Sequence, residues 1–81
     1  MTRSKVVMIF DCAKYLELSL SIVFLENGVQ QKEHINFNSE YFNDVWIDND
    51  ALHFYDNSIK RWIIINIAKI EYIRIHEKII S

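Results

Sequence analysis

Chemistry in this chain of 81 residues would have to come from three histidines, one cysteine and eleven carboxylates. His34, His53 and His76 are widely separated, and no HxH, HExxH or CxxC spacing joins them to a second metal ligand. Nucleophilic catalysis needs a base within reach of the nucleophile. Cys12 has no histidine near it in sequence, so a structural thiol is the simpler reading. Asp48-Asn49-Asp50 has the opening of a calcium loop, but the glycine and the distal glutamate of that loop are missing. A hairpin turn using the aspartate side chain accounts for it better. The single glycine, Gly28, cannot build a phosphate-cradling loop. These residues predict a non-enzymatic chain with no catalytic, metal or cofactor site.

Binding is the remaining chemistry, and the aromatic residues between 44 and 66 are its candidates. Strand alternation there places Trp46, His53 and Trp62 in one row, flanked by Tyr55, Lys60 and Ile64. Large rigid rings gain burial at little entropic cost, which is why Trp and Tyr anchor interfaces. Three arrangements would cover such a row: the chain's own ends, a second copy in a homodimer, or a partner. As a platform it predicts a protein partner. Single-stranded nucleic acid is the alternative, with bases stacked on Trp46, Trp62 and Tyr55 and phosphates near Lys60 and Arg61. Asp44, Asp48, Asp50 and Asp56 at the ends of the same strands would repel phosphate, so a protein suits the mixture better.

The elements that must position this row form a meander. Val45–Ile47, Leu52–Tyr55 and 60–65 are the predicted strands, with Asn49-Asp50 and Asn57-Ser58 as two-residue turns. This pairs Ile47 with Leu52, Val45 with Phe54 and Trp46 with His53, then Leu52 with Ile63 and His53 with Trp62. The inner face becomes Val45, Ile47, Leu52, Phe54, Ile63 and Ile65. Phe54 opposite Arg61 is the one poor match, which a bulge or strand end would relieve.

Upstream, Leu16, Leu18, Leu20, Ile22 and Phe24 alternate with Glu17, Ser19 and Ser21, a strand of period two within 15–26. Asn27-Gly28 is a type I′ turn signal, because both residues tolerate positive φ. The turn pairs Glu26 with Val29, Ser21 with His34, Leu20 with Ile35, Ser19 with Asn36 and Leu18 with Phe37. Apolar meets apolar and polar meets polar along that stretch. Phe24 opposite Gln31 and Ile22 opposite Glu33 predict a turn end that projects beyond the core. Val6–Phe10 reads as a short buried strand. Ser39 could cap one helical turn within 39–43. Ile67, Ile70 and Ile73, spaced by three, predict a tight turn through Ala68-Lys69. Beyond it, Ile73 and Ile75 share one strand face, and Tyr72, Arg74 and His76 the other. Ile79-Ile80 would either extend that strand or fray.

Six or seven antiparallel strands joined by short turns predict an all-β domain spanning 1–81, closing as a small barrel or a compact two-layer sandwich. An apolar fraction of 51% suffices for a core, and a net charge of −2 gives no overall attraction to nucleic acid or anionic lipid. The last third is locally basic, with Lys60, Arg61, Lys69, Arg74 and Lys78 against Glu71 and Glu77. One cysteine and only five apolar residues after Arg3 and Lys5 predict a cytoplasmic protein without a membrane span. Fourteen isoleucines and seven asparagines are the bias of AT-rich codons. With the small size, that bias points to a phage or mobile-element protein that inhibits a host factor by occlusion or acts as a scaffold.

Overall fold

The computed structural model describes residues 1–38 and 44–76. In chain order the elements are helix α1 (Arg3–Tyr15), strands β1 (Ser19–Glu26), β2 (Val29–Asn36), β3 (Val45–Ile47), β4 (Ala51–Asp56) and β5 (Arg61–Asn66), a 3-10 turn (Ile67–Lys69), and β6 (Ile70–His76). They build two antiparallel three-stranded sheets, ordered β2-β1-β6 and β3-β4-β5. Among the described residues neither is closed into a barrel. The sandwich expectation holds in the sense that both sheets contribute to one core. Leu20, Ile22, Phe24, Ile35, Phe37 and Ile70 belong to it from the first sheet and its flanks, and Leu52, Phe54 and Ile65 from the second. Val6, Phe10 and Ala13 of α1 complete it.

The N-terminal strand expectation is wrong: Val6–Phe10 lies within α1. The continuous run of apolar residues hides the relevant period. Over a longer window the buried positions are Val6, Phe10 and Ala13, spaced four and three apart, which is one face of a helix. Thr2 caps the start, its hydroxyl accepting from the Lys5 amide at 3.3 Å. At the other end Glu17 takes a left-handed φ of 55°. There the Leu18 amide bonds to the Ala13 carbonyl at 2.9 Å and that of Glu17 to Lys14 at 3.2 Å, a Schellman stop.

The first hairpin forms in the predicted register. Glu26 pairs with Val29, Ser21 with His34, Leu20 with Ile35 and Ser19 with Asn36, and the Phe37 amide bonds to the Leu18 carbonyl. Asn27 and Gly28 have φ of 53° and 77°, both positive as a type I′ turn requires. The core at the turn end departs from expectation. Ile22 and Phe24 are buried, because β6 lies along the other side of β1 and brings Ile73 and Ile70 opposite them.

The second sheet keeps its predicted faces and changes one register. β3 and β4 pair as expected, with Trp46 opposite His53. Between β4 and β5 the loop has four residues, not two, so Phe54 pairs with Ile63, His53 with Ile64, Tyr55 with Trp62 and Asp56 with Arg61. A two-residue turn would need positive φ at both Asn57 and Ser58, and serine takes it poorly. Instead the Asp56 carboxylate accepts from the Ser58 amide at 2.9 Å and its hydroxyl at 2.6 Å, and Lys60 alone takes the positive φ, 55°. The slip by two preserves each side chain's face and removes the Phe54–Arg61 mismatch. The tight turn after β5 is the 3-10 segment, with the Asn66 side chain accepting from the Ala68 amide. The expectations for 39–43 and for Ile79-Ile80 fall outside the described residues.

Candidate functional site

The outer face of the second sheet carries the predicted site residues. β3 contributes Trp46, β4 contributes His53 and Tyr55, and β5 contributes Trp62 and Ile64, while Lys60 stands in the loop that enters β5. Trp46 and His53 stack with ring centres 3.7 Å apart and planes 6° from parallel. Trp62 does not adjoin His53. It meets Tyr55 edge-on at 5.6 Å, and Ile64 takes the place beside His53. The single aromatic row of the sequence thus becomes two aromatic pairs on neighbouring rungs.

Asp48 holds this arrangement. One carboxylate oxygen receives the Asp50 and Ala51 amides at 2.8 and 2.7 Å, which makes the β3–β4 turn, and the other lies 3.0 Å from His53 Nε2. The Asp50 amide, then the His53 ring and the Ala51 amide, stabilise the charged form and hold the Asp48 carboxyl below its ordinary value. Fixing His53 Nε2 fixes the ring plane against which Trp46 lies. The Asp48 carbonyl also accepts from Arg3 Nε at 3.1 Å, which ties α1 to the same turn. Reading Asp48 as a turn former was right as far as it went. Its hold on His53 was missed, although a carboxylate one rung from a histidine in a known register could have signalled it.

Burial separates the two faces of this sheet. Leu52, Phe54 and Ile65 are at most 1% exposed, whereas Trp46 is 50%, Trp62 48% and Ile64 63% exposed, with Ile59 of the loop at 49%. α1 and Ile70 of β6 pack on the core side, and α1 borders the outer face at Trp46, which lines a pocket together with Arg3, Val7 and Lys14. Among the described residues the chain's own ends leave the two indoles about half exposed, while His53 and Tyr55 beneath them are largely covered.

The sequence also missed a second cluster. His34 and His76 look unrelated in the chain, yet β2 and β6 flank β1 and bring their rings to 5.5 Å over Ser21. Ser21 Oγ lies 2.7 Å from His76 Nε2 and 3.4 Å from His34 Nδ1, and the serine is almost fully buried. Only the His34–Ser21 half was legible, through the first hairpin's register. Cys12 is exposed on α1. Among the described residues no three side chains of the histidine, cysteine, aspartate and glutamate types gather as a metal site. None of the helices described is long and apolar enough to cross a membrane.

The class defined so far is a small two-sheet β domain with one helix in its core and an open aromatic face. No family model, curated protein or solved structure matches the chain, so its function is read from its own geometry.

Proposed function

We propose that this chain is a non-enzymatic protein-binding module, acting by occlusion or scaffolding through the outer face of its second sheet. The observation that carries the reading is the exposure of Trp46, Trp62 and Ile64 on one face of the second sheet. A cluster of large apolar residues with a polar rim is the usual anatomy of a contact surface. Stacking on His53 and contact with Tyr55 hold both indoles, so less rotamer freedom is lost on docking. Asp48 and Asp50 at the β3–β4 turn, and Asp56 with Lys60 and Arg61 at the β4–β5 loop, form a rim of both signs, which suits a protein better than a phosphate backbone. Among the described residues β5 is also an edge strand, which offers a second contact by strand addition.

The double variant W46A/W62A tests the reading. A partner captured by the unaltered chain should be lost with the variant, while the far-ultraviolet circular dichroism spectrum stays the same. Unfolding of the variant would show that the indoles are core and would sink the proposal. Undiminished capture would do the same.

A further inference from the structure

The outer face of the first sheet is a different surface, and its composition is readable rung by rung. Ser19 lies between Asn36 and His76, Ser21 between His34 and Arg74, and Val23 between Lys32 and Tyr72. None of these nine positions holds a carboxylate, on a chain whose net charge is −2. The central column is short and its Ser21 and Val23 are buried, while Lys32, His34, Arg74 and Tyr72 on either side are exposed. The face is therefore a shallow trough along β1, flanked by basic and ring-bearing side chains on strands about 10 Å apart at two strand spacings and bridged over Ser21 by the His34 and His76 rings, 5.5 Å apart. The carboxylate of Glu71, at the hairpin end, is engaged by Gln30 Nε2 at 3.2 Å.

We propose that this trough binds single-stranded nucleic acid, with Lys32 and Arg74 pairing with phosphates, His34 and His76 hydrogen bonding to them, and Tyr72 stacking on a base. Flat exposed rings interleaved with cations on an antiparallel sheet are the ingredients of single-strand recognition. Successive wall residues on a strand stand about 6.8 Å apart, so Lys32 and His34 can follow a backbone along the trough. Burial first, and then His76 and Lys32, disfavour a proton on His34 and hold its pKa below the ordinary value. An acidic peptide would answer the charge but would leave the exposed ring of Tyr72, 51% accessible, without a stacking partner. The inference is independent of the protein-binding reading, because the two surfaces lie on different sheets.

Fluorescence anisotropy of a short labelled oligothymidylate with the full chain at low salt is the test. The unaltered protein should bind, with a log–log salt slope of about −1.4 if two phosphates are neutralised. K32E/R74E, at exposed positions, should weaken binding by about tenfold or more, and Y72A should weaken the oligonucleotide but not heparin. W46A/W62A should bind like the unaltered chain, which separates this trough from the aromatic face. Absence of binding at low salt overturns the proposal, as does binding that K32E/R74E leaves intact. Polyglutamate competing as well as the oligonucleotide would show a simple anion surface and overturn it too.

Discussion

Single residues in this protein act through partners that the chain's register supplies. Asp48 illustrates it: one carboxylate closes a turn, orients His53 and thereby sets the plane on which Trp46 stacks. His34 shows the electrostatic side. Its folded-state pKa lies below the ordinary histidine value, through burial first and then His76 and Lys32. Below that value the unfolded chain takes up the proton more readily than the folded one, so stability falls as pH drops through 6.5 toward the lowered pKa. Among the described residues the groups facing His34 are Ser21 and Val23 of β1, Lys32 of β2, and Tyr72, Arg74 and His76 of β6, and none of these carries a negative charge that would reverse the sign. Urea midpoints at about pH 7.5 and about pH 5.5 should show the loss, and H34Q should reduce it. Equal losses in both proteins would place the titration elsewhere.

At the scale of elements, local periodicity and turn chemistry decide most of the outcome. The Asn27-Gly28 hairpin and the β3–β4 hairpin are legible to the residue, because a wrong register would put apolar side chains into water. The β4–β5 loop was less legible, since a four-residue loop preserves the same faces as a two-residue one. What separates them is the Asp56–Ser58 hydrogen bonding and one positive φ at Lys60. Helix α1 was misread because five adjacent apolar residues satisfy either period. Its place in the core makes a firm prediction. Phe10, 4% exposed and edge-on to Phe37 at 5.8 Å, joins α1 to the first sheet. Phe10→Ala should cost about 3–5 kcal/mol, measured by chemical denaturation. A cost near zero would mean that the helix is not part of the cooperative unit.

For the whole molecule, two sheets sharing a core leave two outer faces of opposite character. One is aromatic with a rim of mixed charge, the other a basic trough over Ser21. The division of labour predicts different costs for similar truncations. Phe54→Ala on the inner face should cost about 3–5 kcal/mol. Trp62→Ala on the outer face removes a larger side chain that is 48% exposed, and should cost about 1–2 kcal/mol. Thermal or urea unfolding of the two variants compares them directly. Equal costs would show the indole to be as much a part of the core as the phenyl ring.

By itself the sequence determined the β character, the inner faces of both hairpins, the tight turn at Ile67–Lys69 and the residues of the aromatic surface. All of these follow from contacts close along the chain, where alternation and turn types leave few choices. Only the tertiary structure decided that β6 returns to pair with β1, that the N-terminal segment is a helix in the core, and that the sheets stay open. The physical reason is the same in each case. These outcomes depend on which distant apolar faces bury one another, a competition that local spacing does not encode. His34 and His76 meet over Ser21 only because that competition placed β2 and β6 on either side of β1.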